Sequence, residues 1–134
     1  MSTARDRAHR AIEEAAKLDK MLEAAEQLQG YDYDRRVTVE GAKALLHYFV
    51  LRPHVPMPSA TIDDISFTRL IADADGWYLA LVVTWDNTIE WEVQRPGETM
   101  IAEREPFDGV RMPPRLAALL ERAPAVQPAG AKTR

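Results

Sequence analysis

The residues that could do bond-making chemistry are few and scattered. The chain has three histidines, His9, His47 and His54, and no cysteine. No histidine pair falls in the HxH or HExxH spacing that would aim two imidazoles at one metal ion, and no carboxylate-rich loop accompanies them. The absence of cysteine excludes disulfides, thiol nucleophiles and cysteine-based zinc sites. Ser2, Ser59 and Ser66 lie in no Gly-x-Ser-x-Gly elbow, and the six glycines make neither GxGxxG nor GxxxxGK. Two carboxylate pairs, Asp63-Asp64 and Asp73/Asp75, could act as general acid and base. Adjacent aspartates before a strand and Asp-x-Asp-Gly in a turn are nevertheless ordinary punctuation, and Asp73-Ala74-Asp75-Gly76 lacks the downstream ligands of a calcium loop. The expectation is no catalytic residue, no metal site and no cofactor.

The elements that would position any site follow from periodicity. Residues 3–29 are rich in Ala, Glu, Lys and Leu and predict a long helix, with Ser2 or Thr3 as cap, Asp6 three residues after Thr3, and Gly30 at the end. Its stripe Ala11, Ala15, Leu18, Leu22 and Ala25 could pack on the same domain or on a second copy, giving a homodimer through the first helix. Tyr31 to Arg36 reads as a connecting loop, and Thr38 as the cap of a second helix, residues 38–51, with Ala42, Leu45, Leu46, Phe49 and Val50 inward. Pro53 stops it, and Pro53 to Pro58 reads as an extended linker. The period then changes to two. A four-stranded antiparallel meander is predicted over residues 62–104, with strands near 65–72, 77–84, 88–94 and 99–103. Pro113-Pro114 opens a short helix, residues 114–122, with Leu116, Leu119 and Leu120 inward. The fold class is α+β: one domain over residues 1–123, two N-terminal helices on one face of the meander, and a flexible tail over 124–134.

Strand register decides which side chains share a face. A two-residue Asp86-Asn87 loop would bring Glu90 and Glu92 opposite Val83 and Leu81, placing carboxylates on the apolar side. A three-residue loop, Trp85-Asp86-Asn87, pairs Val83 with Ile89, Leu81 with Trp91 and Leu79 with Val93, and sets Asn87 in the left-handed conformation that Asn tolerates. The second register is expected. It leaves Tyr78, Ala80 and Val82 beside Glu90, Glu92 and Gln94 on the outer face, joined by Ile101 if a two-residue Pro96-Gly97 turn pairs Val93 with Met100.

Charge is unevenly spread. The net charge is −4, yet residues 62–108 carry eleven acidic and three basic side chains, while 109–134 carry five basic and one acidic. A basic protein partner could be steered to the sheet; nucleic acid and membrane surfaces are poor partners for this balance. Arg5, Arg7, His9 and Arg10 open the first helix, where cations oppose the dipole, so they read as a solvated, fraying end or a local contact for phosphate or an acidic partner. Tyr31 and Tyr33 are candidate aromatic anchors. No apolar signal-peptide core follows Met1, and no stretch is long enough to span a bilayer, so a cytoplasmic location is expected.

From Tyr31 onward the order of signals resembles a group of small, functionally unassigned bacterial proteins with helix-plus-meander folds. The matching pieces are Tyr31-Asp32, Thr38 to Leu51, Pro56-Met57-Pro58-Ser59, Asp75-Gly76, Trp85 and Pro96-Gly97. The chain departs from that pattern in lacking Gly after Tyr31-Asp32 and in its extra residues between Ser59 and Asp75. The resemblance implies a fold and assigns no catalytic residue. The functional expectation is a non-enzymatic interaction module of bacterial or phage type. In size, acidity and lack of catalytic motifs it is similar to immunity, antitoxin or inhibitor proteins. Tyr78, Val82, Glu90, Glu92, Ile101, Tyr31 and Tyr33 are its candidate partner-binding residues. The alternatives are a ligand or enzyme pocket between helices and sheet using Asp63, Asp64 or His47, and the homodimer through the first helix.

Overall fold

The computed structural model describes residues 3–63 and 67–123. The expected tail at 124–134 and the start of the first expected strand, with Asp64 and Ser66, lie outside them. α1 runs Ala4–Gln29 from a complete capping box, in which Thr3 Oγ1 accepts from the Asp6 N–H and the Asp6 carboxylate accepts from the Thr3 N–H. Only Gly30 to Asp32 separate it from α2, Tyr33–Val50. The second helix therefore starts five residues before the expected Thr38. Asp32 is the cap, its carboxylate accepting from the N–H groups of Asp34 and Arg35 at 3.0 and 3.2 Å. Thr38 is buried inside the helix, its hydroxyl bonded to the Arg35 carbonyl and facing Thr68 Oγ1 at 2.9 Å. Two capping residues six positions apart compete, and the polar Tyr-Asp-Tyr-Asp run disguised the earlier one.

The sheet has five strands, not four: β1 Ser59–Ile62, β2 Thr68–Ala74, β3 Trp77–Val83, β4 Thr88–Gln94 and β5 Ile101–Pro106, in the order β1-β2-β3-β4-β5, all antiparallel. β1 lacks a propensity signal of its own. It forms because its inner side pairs with β2 and its outer Ala60 N–H is taken by the Glu14 carboxylate of α1, at 2.7 Å. The β2–β3 turn holds only Asp75 and Gly76, both at positive φ (56° and 85°), the geometry that matches strand twist in a two-residue hairpin. β3 and β4 pair in the expected register, Val83 with Ile89, Leu81 with Trp91 and Leu79 with Val93, and Asn87 has φ 63°. Thr84, Asp86 and Thr88 tie that loop together, with both threonine hydroxyls donating to Asp86 Oδ1 at 2.5 and 2.7 Å.

All three helices cover one face of the sheet. α1 lies along β1, α2 lies over β2 and β3, and the short α3, Pro114–Glu121, is fastened beside β4 and β5. Trp77, Leu79, Leu81, Val83, Ile89, Trp91 and Val93 meet Leu18, Leu22, Val39, Leu45, Leu46, Phe49, Leu116 and Leu120 in one continuous core. Each large side chain fully buried there contributes about 1.5–3 kcal/mol. Gly41 lets α2 approach closely, since a Cβ at that position would lie 2.8 Å from the Phe107 ring. The α1 stripe is used inside the domain: Ala11, Leu18 and Leu22 are buried against it, so they are not available to a second copy.

Polar side chains clamp the helix ends. The buried Arg7 guanidinium donates to the carbonyls of Phe49, Val50, Arg52 and Val55, bringing a cation to the C-terminal end of α2 and the segment just beyond it. The basic opening of α1 is thus neither a solvated end nor a phosphate contact at Arg7; Arg10 likewise reaches Glu14 and Ser59. At α3, whose cap residue Pro113 offers no side-chain acceptor, the buried Glu105 of β5 accepts from the N–H groups of Arg115 and Leu116 and from Trp91 Nε1, each at 2.9 Å. At its other end Tyr48 donates to Glu121, which also pairs with Arg52, and His54 meets the Leu120 carbonyl. Burial, then the bond to the Glu121 carboxylate, pushes the Tyr48 phenol up to about 12.

Candidate binding surface

The uncovered side of the sheet carries alternate residues of the same strands, and the pairing arranges them in rows. One row crosses all five strands as Thr61, Arg69, Val82, Glu90 and Arg104. The next, about 6.8 Å further along the strands, reads Ser59, Ile71, Ala80, Glu92 and Ala102. A shorter row holds Asp73, Tyr78 and Gln94. Together they form an open concavity of about 650 Å³, with Tyr78, Ala80, Val82 and Ile71 as its apolar part and Arg69, Glu90, Glu92 and Arg104 around them.

Of the residues expected at a binding face, Tyr78, Val82, Glu90 and Glu92 come together here. Ile101 does not. β5 pairs Val93 with Ile101 rather than with Met100, so Ile101 lies on the helix side of the sheet margin and Ala102 takes its place opposite Glu92. The Pro96-Gly97 turn is longer than the expected two residues, and the chain closes it with a Glu98 N–H bond to the Arg95 carbonyl. A charge rule would have given this register: the shorter turn sets Glu90 opposite Glu103, whereas the observed one sets Glu90 opposite Arg104. Tyr31 and Tyr33 are also elsewhere, exposed at the α1–α2 junction, where Arg36 lies 5.4 Å from the Tyr31 ring centre. Arg69, Ile71, Ala102 and Arg104 were not among the expected residues and complete the surface.

Part of the anionic excess of the sheet is neutralised inside the molecule. Asp63 pairs with Arg69 at 2.8 Å, Asp86 with Arg104 at 2.9 Å, and Glu103 with Arg115 at 2.6 Å; Arg122 meets Glu98. The basic residues after Gly109 are thus partly spent on the acids that precede them. Hydrogen bonds from Thr84 and Thr88 hold the Asp86 carboxyl below its usual range. Among the carboxylates that line the concavity, Glu90 faces Arg104 at 3.8 Å and Glu92 has no cationic partner among the described residues.

No family model matches this chain, and no curated protein or solved structure matches it. The surface therefore has to be read from its own chemistry. Its lining contains no serine, cysteine or histidine, and no cluster of three metal-ligating side chains occurs among the described residues. No helix among them is long and apolar enough to cross a membrane. A larger hollow of about 880 Å³ lies between the start of α1, the Pro53–Met57 segment and the β2–β3 turn. Several of its polar groups already serve the fold: Asp6 caps α1, Arg7 caps α2, Arg10 holds Ser59, and His54 holds Leu120. The space between helices and sheet is filled by Leu45, Phe49 and Trp91, and the residues proposed for an internal pocket do not meet there. His47 is exposed on α2, Asp63 is paired with Arg69, and Asp64 is outside the described residues.

Proposed function

We propose that this protein is a non-enzymatic binding module that docks a protein partner on the outer face of its sheet. It would act in the manner of an immunity, antitoxin or inhibitor protein, by covering or holding another chain. The observation that supports this reading is the concavity itself: an apolar strip of Ile71, Tyr78, Ala80 and Val82 left open on one side of a sheet whose other side carries the three helices, and rimmed by charged side chains. An apolar centre with a polar rim is the anatomy of a protein contact, and an aromatic such as Tyr78 supplies contact area at low entropic cost. The carboxylates orient the approach and speed association with a basic partner.

Paired affinity captures from the source cells test it. Val82→Arg places a charge in the centre of the strip; Lys43→Glu changes charge on α2, on the opposite side of the molecule. A partner held by the wild type and by Lys43→Glu, and lost with Val82→Arg at unchanged thermal stability, supports the reading. A partner retained by Val82→Arg removes it.

A further inference from the structure

We infer that the docking face recognises a protein segment through a single lysine or arginine side chain, received by Glu92 in a trough that runs across the strands. This rests on the docking reading above and names the chemistry of the partner. The trough follows from the row pattern. In the row Ser59, Ile71, Ala80, Glu92 and Ala102, small alanines flank Glu92 on both neighbouring strands. The rows to either side carry bulkier groups, Arg69, Val82, Glu90 and Arg104 on one hand and Tyr78 and Gln94 on the other. Side chains on one face of a pleated sheet stand roughly perpendicular to it, so Ala80 and Ala102 leave low ground on either side of Glu92, between two ridges.

The charge pattern within this trough is specific. Arg69 is engaged by Asp63 and Arg104 by Asp86, so neither cation turns to Glu92. Gln94, its neighbour on the same face of β4, donates to the Glu98 carbonyl. Glu92 thus presents a carboxylate with no cationic partner among the described residues, beside apolar floor and diagonal to the Tyr78 ring. A cation with a long aliphatic stem suits this arrangement: the stem lies on Ala80, the Tyr78 ring flanks it, and the carboxylate receives the charged head. An acidic or purely aliphatic side chain would leave Glu92 stripped of water without a partner.

A random twelve-residue peptide library displayed on phage, selected against the full-length protein, tests the inference. Peptides that bind the wild type and not Val82→Arg define the face. They are expected to share a Lys or Arg at one fixed position with small or apolar neighbours, and selection against Glu92→Lys should exchange that position for Asp or Glu. A synthetic copy of a selected peptide should bind Glu92→Gln about fivefold more weakly, the scale of one partly exposed ion pair, with the difference shrinking at high salt. Face-dependent peptides without a basic position, or a basic preference unchanged in Glu92→Lys and Glu92→Gln, would overturn the inference and leave the docking reading standing. If no selected peptide depends on Val82, both fail.

Discussion

The two faces of one sheet are made by the same strands, residue by residue, yet they are governed by different terms. On the helix side, Leu79, Leu81, Ile89 and Val93 are excluded from water, and their register was legible because any slip would have buried glutamates. On the open side, Ala80, Val82, Glu90 and Glu92 gain little from the fold, and their identities are under no packing constraint of comparable size. Covered positions answer to stability. Open ones are free to answer to something else, which is why a coherent trough there carries information.

The contrast can be broken most directly by truncating one side chain from each face. Leu81→Ala on the covered side should cost about 2–5 kcal/mol of folding free energy, read from a urea midpoint. Arg7→Met comes next, expected to lose about 2–3 kcal/mol, because the carbonyls of Phe49, Val50, Arg52 and Val55 all lose a charged donor. Glu105→Gln keeps the volume but weakens the charge-assisted bonds to the α3 N–H groups and Trp91, with a loss of about 1–2 kcal/mol. A smaller effect is expected at Glu14. Burial works to raise its carboxyl, but bonds from Lys17, the Ala60 N–H and Arg10 outweigh it and hold the group below the ordinary 4.5. A depressed native value contributes stability that is complete above 4.5 and is lost as pH falls through the native value. Unfolding midpoints measured down through this range should fall less steeply for Glu14→Gln than for the wild type. On the open face, Val82→Ala and Glu92→Gln should change stability by less than about 0.5 kcal/mol while altering binding. If they destabilise as much as Leu81→Ala, the two faces are not distinct.

Much of this was readable in the chain. The long helix with its Thr3 and Asp6 box, the apolar face of α2, the β3–β4 loop with left-handed Asn87 and the short final helix all follow from local chemistry. What escaped was set by tertiary partners. β1 depends on Glu14 reaching Ala60, and the start of α2 turned on which of Asp32 and Thr38 would be drawn into the core. The candidate surface was half legible. Tyr78, Val82, Glu90 and Glu92 came from alternation within two strands, while Ala102 and Arg104 required the β4–β5 offset, for which the pairing of Glu90 with Arg104 was an available and unused signal. The role of Arg7 was beyond reach, since it spans more than forty residues to carbonyls that look like any others.

The bond from Glu14 to Ala60 has a consequence for crowded conditions. With α1 lying against the β1 margin, β5 offers the one free border among the described residues, and that border holds Glu103 and Arg104 and ends in Pro106. A sheet with one accessible side can join a copy of itself once and then has nothing left to extend. Strand-by-strand growth into filaments is thereby disfavoured, and edge pairing between copies is expected to stop at two molecules.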